Sequence, residues 1–327
     1  MATGSRILIV TDARPGTSLG NRVTALRWQA ILRELGHRVR IAPRFEGQGC
    51  DVLVALHARK SAGSVESFAR ERPRGRIVVA MTGTDLYAAG GIEARSRASI
   101  ARADRIVVLQ REGLLRLDPR ERAKASVILQ SARRATSAIR RRRGDFLVVA
   151  LGHLRAVKDP LLAAHAARLL PRDSRVRIEH FGSARDPAFA RRASVETRRN
   201  PRWSWLGERT HARTLEILRG ADAFVQTSKA EGGSSAMAEA IVCGLPVLST
   251  RIPGAIGMLG RSHAGWFEAG DARGLADLLV RCERDARFRS ALREASRRLA
   301  PRFAPRVELR AWRTLLSGLG IESPGRS

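Results

Sequence analysis

Short apolar runs alternate with amphipathic helical segments along almost the whole chain of 327 residues. In the first half the apolar runs are predicted strands at residues 6–10, 38–42, 51–56, 76–81, 105–109 and 126–129. Between the first two strands, residues 21–35 have helical periodicity, and Gly36 stands where glycine commonly ends a helix. Strands interleaved with helices imply right-handed βαβ units and a parallel sheet.

The same alternation restarts after a basic, aperiodic segment at residues 131–144, which is the predicted linker between two domains. Further strands are predicted at residues 145–151, 175–181, 203–206, 222–226 and 246–250, and a final helix at 306–316. The predicted fold is therefore α/β, with two Rossmann-like domains whose parallel sheets face each other across a cleft. The predicted domains are residues 1–143 and 144–303, and residues 304–327 are a candidate to pack back on the first domain.

Arginine dominates the charge of this chain. Sixty Lys and Arg residues against 31 Asp and Glu give a formal net charge of +29, and only four of the sixty are lysines. Such a surface attracts phosphates, nucleic acid or anionic lipid, although arginines on solvated helix faces would give the same composition. Aromatic residues make up only 5% and form no evident stacking platform, so we expect no nucleic-acid partner.

The chain lacks the patterns of membrane, secreted and metal-binding proteins. There is no run of about 18 apolar residues, so stable membrane insertion is not expected. The N-terminus has no signal-peptide pattern, which favours a cytoplasmic protein. Cys50, Cys243 and Cys282 are too far apart for a CxxC or zinc motif and are predicted to be small buried residues.

Polar residues at the carboxyl ends of the predicted strands are the candidate site, because ligands of such sheets bind there. The loop at residues 11–22 contains Gly16 and Gly20 before a helix, but it lacks G-x-G-x-x-G spacing, so a dinucleotide cofactor is poorly supported. It is either a phosphate or acceptor loop or a plain connection. After the third strand, His57, Arg59 and Lys60 form either an anion pocket or a solvated loop.

The next strand ends offer hydrogen-bonding groups. After the fourth strand come Thr82, Gly83, Thr84 and Asp85, and after the fifth comes Gln110, a weaker candidate. In the second half, the first strand is followed by Gly152, His153, Arg155 and Lys158. A helix is predicted to start near Asp159 and Pro160. Cations beside a helix N-terminus suit a diphosphate.

The most informative loop is the one that follows the strand at residues 222–226. Its candidate ligand-binding residues are Glu231, Gly232, Gly233, Ser234, Ser235 and Glu239. The glycines can present backbone N–H groups, either serine can cap a helix, and Gly244 is predicted to end that helix. On an ideal helix Glu239 would stand about 80° from Glu231. Such a loop suits a sugar nucleotide, with N–H groups facing phosphates and carboxylates binding hydroxyls, but a purely structural short helix remains the alternative.

This arrangement resembles the C-terminal domain of GT-B glycosyltransferases of family 4, which has two glutamates separated by seven residues and a glycine-arginine pair followed by a lysine. The resemblance implies that Lys158 neutralises the diphosphate of a UDP-sugar donor. It also implies that Glu239 binds ribose hydroxyls and Glu231 holds the transferred sugar, while residues 232–235 offer N–H groups. His153 stands where the family has arginine, and Arg155 is a candidate for the missing cation.

A narrower resemblance, to the selenosugar synthases of selenoneine biosynthesis, is carried by residues 57–61, 82–87, 107–110 and 152–160. It implies transfer of a hexose from UDP-N-acetylglucosamine or UDP-glucose to selenophosphate, without a cofactor. No DxD motif stands beside the proposed diphosphate residues, which is consistent with metal-independent transfer. The implied catalytic residues are Lys158, Glu231 and His57. The implied acceptor-binding residues are Gly20, Asn21, His57, Arg59, Lys60, Thr82, Gly83, Thr84 and Asp85, with Arg14 as a further cation. The alternative is a conventional GT-B enzyme acting on a lipid-linked or phosphorylated acceptor, and the sequence does not indicate the oligomeric state.

Overall fold

The computed structural model describes residues 4–12, 20–87, 90–134, 137 and 144–323. The chain divides into two compact units. The first comprises Met1–Gln130, Glu231–Gly233 and Pro305–Ser327, and the second comprises Ser131–Ala230 and Ser234–Ala304. Most of the predicted linker, namely residues 135, 136 and 138–143, lies outside the described residues, as do Arg14 and Gly16.

The first unit contains a six-stranded parallel sheet in the order β2-β1-β3-β4-β5-β6. Its strands are β1 (Arg6–Val10), β2 (Arg38–Ala42), β3 (Val52–Leu56), β4 (Arg76–Met81), β5 (Arg105–Val108) and β6 (Ala125–Val127). Its first four helices are α1 (Gly20–Glu34), α2 (Ala62–Glu71), α3 (Ala94–Arg102) and α4 (Pro119–Ala123). All six predicted strands are confirmed, and Gly36 follows α1 in the left-handed conformation (φ +92°).

The second unit contains another six-stranded parallel sheet, in the order β12-β11-β10-β7-β8-β9. Its strands are β7 (Phe146–Leu151), β8 (Val176–Phe181), β9 (Trp203–Trp205), β10 (Ala223–Gln226), β11 (Val247–Thr250) and β12 (Trp266–Phe267). The helices are α5 (Leu162–Arg168), α6 (Pro187–Arg199), α7 (His211–Gly220), α8 (Ser235–Val242), α9 (Pro253–Leu259), α10 (Ala272–Arg284) and α11 (Ala286–Leu299). The sequence predicted the first five of these strands and missed β12, which has only two residues.

The last helix, α12 (Pro305–Ser317), belongs to the first unit. There it packs on α1 through an edge-to-face pair of Trp28 and Trp312, whose ring centroids are 4.8 Å apart. The Trp28 indole N–H donates to Glu308 Oε1 over 2.8 Å. Burying the indole is favourable because its polar N–H keeps a hydrogen-bond partner in the core.

The central strands of both sheets are buried, as continuous apolar strands of parallel sheets require. All five residues of β3 are buried, and so are the three cysteines, which confirms that prediction. No helix among the described residues is long and apolar enough to cross a membrane. Within the same residues, no cluster of His, Cys, Asp and Glu is arranged to hold a metal ion.

The strand order fixes where a ligand can bind in each sheet. In the second sheet the order reverses between β7 and β10, and in the first it reverses between β1 and β3. At such a switch point the loops leave neighbouring strands toward opposite faces and open a crevice at the carboxyl ends. The loops after β7 and β10 carry most of the predicted donor residues, and the loop after β3 carries the predicted cations.

Candidate functional site

At the switch point of the second sheet, the loops that follow β7 and β10 are hydrogen-bonded to each other. The Lys229 backbone N–H donates to the Val157 carbonyl over 2.8 Å. The Thr227 hydroxyl donates to the Lys158 carbonyl over 2.9 Å. The chain around Lys158 is therefore held by the neighbouring loop as well as by the hydrogen bonds of its own short turn.

Lys158 lies beside Gly152, at the end of β7. A Cβ atom added at Gly152 would lie 3.8 Å from Lys158 Cδ, so the lysine side chain runs along the glycine backbone. Lys158 ends a short 3-10 turn, Ala156–Lys158, and Asp159 then adopts a left-handed conformation (φ 43°). Because of that reversal α5 begins at Leu162, and the predicted helix start near Asp159 and Pro160 is wrong.

His153 is hydrogen-bonded through Nδ1 to the end of β8. The backbone N–H of Ser183 donates to Nδ1 over 3.2 Å, and the Ser183 hydroxyl lies 2.8 Å from the same nitrogen. A backbone N–H only donates, so Nδ1 must be the acceptor and the imidazole proton sits on Nε2. His153 is thus a neutral donor at a position where the family resemblance expects a cation, while Arg155 is exposed.

The end of β8 and the residue that follows it also support Gly152. His180 Nε2 lies 2.8 Å from the Gly152 carbonyl oxygen and donates to it. Gly182 has φ +152°, and a Cβ there would lie only 2.1 Å from that same oxygen. Neither residue was predicted to have a role at the site, yet both fix the start of the predicted diphosphate loop.

The buried imidazole of His180 gives a pH-dependent prediction. Burial lowers the pKa of His180 to about 4, although its bond to the Gly152 carbonyl opposes that shift. In the unfolded chain this imidazole therefore becomes protonated near pH 6.5, whereas in the native state it stays neutral until about pH 4. The free energy of unfolding should fall as the pH drops through that interval, by up to about 3 kcal/mol from this group.

A matched variant isolates this effect. His180→Gln keeps an N–H donor for the Gly152 carbonyl but does not titrate. Urea unfolding between pH 7 and 4.5 should show a steeper loss of stability in the wild type than in the variant, because the other buried histidines contribute equally to both. Parallel pH profiles would contradict the assignment.

The loop after β10 leads into α8, which begins at Ser235. Ser234 is the cap, since its hydroxyl accepts from the Met237 N–H over 3.2 Å. Gly244 follows the helix with φ +73°, as predicted. Glu231 lies before the helix and Glu239 lies within it, so the 80° separation on a common helix is wrong.

Glu239 is nearly buried and has a partner that the sequence did not reveal. Its Oε1 lies 2.9 Å from Nε2 of His211, the first residue of α7. The Glu239 side chain is 12% exposed and that of His211 is 66% exposed. No periodicity or motif marks His211, because the pair joins two helices separated by 28 residues.

In the first unit, Asp85 organises the loops that follow β3 and β4. Its carboxylate accepts from the backbone N–H groups of Ala58, Thr82 and Gly83 at 2.8–3.0 Å. It is 3% exposed, so its oxygens are committed to the protein backbone. Asp85 therefore shapes this site rather than presenting a carboxylate at its surface.

His57 stands next to Asp85 with an unusual backbone conformation. Its φ is 74°, which is rare for a residue with a side chain and often marks a constrained site. Nε2 lies 3.0 Å from the hydroxyl of the exposed Thr84, and Nδ1 lies 3.6 Å from Asp85. Burial lowers the pKa of His57, which favours the neutral imidazole.

The predicted cations after β3 have carboxylate partners. Arg59 pairs with Glu93 at 3.3 Å, and Lys60 pairs with Asp12 at 2.8 Å. Each of these four side chains is at least 40% exposed. Exposed pairs of this kind are weak and can exchange one anion for another. Of the remaining acceptor candidates, Gly20 is the exposed first residue of α1 and Asn21 is half-buried.

Three further predicted residues make close backbone or capping contacts in the first unit. A Cβ at Gly232 would lie 2.5 Å from the Thr82 carbonyl group, and one at Gly233 would lie 2.7 Å from Leu109 Cβ. These glycines are therefore required for close approach of the chain. Gln110 caps a 3-10 turn by accepting from the Gly113 N–H, and its side-chain amide donates to the Tyr87 hydroxyl over 2.7 Å.

Comparison with solved structures identifies the fold. Sucrose-phosphate synthase of Thermosynechococcus elongatus matches with a TM-score of 0.80 at 14% identity, covering 97% of this chain and 99% of that one. HepE of Anabaena in complex with UDP and glucose matches with a TM-score of 0.76 at 15% identity, covering 96% and 100%. A glycosyltransferase of Rickettsia africae matches with a TM-score of 0.75 at 14% identity, covering 97% and 99%.

The two six-stranded parallel sheets are thus those of the GT-B glycosyltransferase fold. The family described as "Glycosyl transferases group 1" matches residues 133–299, slightly more than half of the chain. The chain belongs to this family of transferases.

Proposed function

We propose that this protein transfers a hexose from a UDP-sugar. The observation that carries the proposal is the meeting of Lys158, Gly152 and His153 at the β7–β10 switch point, beside the loop that leads into α8. HepE, which shares the fold, was solved with UDP and with UDP-glucose. The two folds match over 96% of this chain and 100% of HepE. The simplest inference is that this chain also binds a nucleotide at the carboxyl ends of the same strands.

Each donor residue has a role that its chemistry supports. The Lys158 ammonium would neutralise the diphosphate as it departs, and the Nε2–H of His153 would donate to a phosphate oxygen. Glu239 would accept from ribose hydroxyls and Glu231 from hydroxyls of the sugar. The N–H groups of residues 232–235 would add donors without adding charge.

The acceptor we propose is selenophosphate, which makes the protein a selenosugar synthase. Selenium attacks C1 of the sugar, and the bond from C1 to the UDP oxygen breaks with its electron pair leaving on UDP. Water then cleaves the Se–P bond: the hydroxyl goes to phosphorus as phosphate leaves, and the proton goes to selenium. The net products are a 1-selenosugar, UDP and phosphate, with no redox change.

The chemistry of the first unit is compatible with such an acceptor. Selenophosphate is small and highly charged, so it requires cations and hydrogen-bond donors rather than a large groove. Arg59 and Lys60 are exposed and hold only weak surface pairs, which an anion can replace. Selenium is a strong nucleophile without deprotonation by the protein, so the neutral His57 would position the acceptor rather than activate it.

A conventional transferase acting on a lipid-linked or phosphorylated acceptor is the second candidate. The observation that favours it is the net charge of +29, which attracts anionic membranes. On that account the exposed arginines would bring the enzyme to its acceptor, and selenophosphate would not be used.

Release of UDP under matched conditions separates these functions. We expect UDP to form from UDP-N-acetylglucosamine or UDP-glucose when selenophosphate is added, and not when phosphate replaces it. Release that depends on anionic vesicles carrying a lipid acceptor would favour the second candidate. Failure to release UDP with any acceptor, together with no binding of UDP, would overturn the proposed donor.

A further inference from the structure

His211 is an exposed side chain whose hydrogen bond reaches a nearly buried carboxylate. Its Nε2 lies 2.9 Å from Glu239 Oε1, and among the described residues the other oxygen, Oε2, has no hydrogen-bond partner. One oxygen is thus fixed by the protein, while the other can accept from a ligand. A carboxylate held at one oxygen has a defined direction for the second bond.

The backbones at His211 and Glu239 both lie in helices with capped N-termini. The Thr210 side chain caps α7 by accepting from the Arg213 N–H over 3.3 Å. Glu239 lies in α8, which Ser234 caps and which packs against α7. The His211–Glu239 bond therefore joins two capped helices, and one of its two side chains is nearly buried.

We propose that His211 is a positioning residue for the ribose of the nucleotide. It holds Glu239 so that Oε2 accepts from a ribose hydroxyl, and it thereby contributes to selection of ribonucleotides over deoxyribonucleotides. This inference rests on the proposed function, in which Glu239 binds the ribose. The effect of His211 passes through Glu239, so it should appear in nucleotide affinity and KM rather than in kcat.

Calorimetric titration tests this inference by changing both the ligand and the protein. The affinities of UDP, 2′-deoxy-UDP and 3′-deoxy-UDP are measured for the wild type and for variants at His211. His211→Ala should weaken UDP binding by at least about tenfold, the lower end of what a hydrogen bond to a charged group contributes. The same variant should bind the deoxynucleotide that lacks the bonded hydroxyl about as well as the wild type does. His211→Gln, which places an amide N–H near the position of Nε2–H, should restore most of the affinity for UDP.

Three outcomes would overturn the proposal. Equal losses for UDP and for both deoxynucleotides would mean that His211 acts on the site in general and not on the ribose. Unchanged UDP affinity in His211→Ala would mean that the pair has no role in binding. If the wild type itself does not bind UDP, the proposed donor fails and this inference fails with it, whereas normal binding by the wild type confines a failure to His211. Thermal unfolding checks that the variants are folded.

Discussion

Replacing Lys158 by alanine is expected to lower turnover of the UDP-sugar by at least about tenfold. A charged hydrogen bond to phosphate contributes about 1.5–3 kcal/mol, and each 1.4 kcal/mol corresponds to about a factor of ten. The loss should appear in kcat, because negative charge grows on the diphosphate as the bond to the sugar breaks. Initial rates over a range of UDP-sugar concentrations measure it.

The control for this variant is Arg168→Ala, which removes a cation from the helix that follows the Lys158 turn. Arg168 is exposed and pairs with Glu196 at 2.8 Å, so its loss should change the rate by less than about twofold. Normal turnover by Lys158→Ala would refute the assignment of Lys158 to the diphosphate. Equal losses in both variants would attribute the effect to net charge.

Replacing Gly182 by alanine should destabilise the second unit strongly. The added Cβ would lie 2.1 Å from the Gly152 carbonyl oxygen and 2.5 Å from its carbon, and both are backbone atoms that cannot move independently. Backbone strain at φ +152° costs about 1–3 kcal/mol, and overpacking adds about 1–3 kcal/mol. Urea unfolding measures the loss, and UDP affinity should fall as well because Gly152 is displaced.

Gly270→Ala separates the steric part of that cost from the conformational part. Gly270 also has a positive φ, +85°, but a Cβ there meets nothing within 4 Å. We therefore expect it to cost about 1–2 kcal/mol, with UDP affinity unchanged. A loss in Gly182→Ala no larger than in Gly270→Ala would contradict the close packing of the two loops.

Most of the fold could be predicted because buried parallel strands are continuous apolar runs. The run at β3, all of it buried, is an example, and eleven of the twelve strands in the described part of the chain were predicted in this way. β12 was missed because two residues, Trp266 and Phe267, are too few to show a period. The start of α5 was misplaced because a proline suggests a helix start, whereas the left-handed Asp159 delays it.

The residues of the candidate site could be predicted only where several polar or glycine residues follow the end of a strand within one short segment. That reasoning pointed to Gly152 and Lys158 after β7 and to Glu239 in α8, because these stretches are recognisable without coordinates. It missed His211 and His180, since each acts through a partner 28 residues away in the sequence and neither lies in a motif. The sequence also gives no sign that the Asp85 carboxylate accepts hydrogen bonds from three backbone N–H groups.

The most direct test of the central claim is the mass of the product. The protein is incubated with UDP-N-acetylglucosamine or UDP-glucose and selenophosphate, and the products are separated and identified by mass spectrometry. We expect a hexose or N-acetylhexosamine carrying one selenium, recognisable by its isotope pattern, together with UDP and phosphate. A sugar transferred to another acceptor, with no selenium-containing product from either donor, would contradict it.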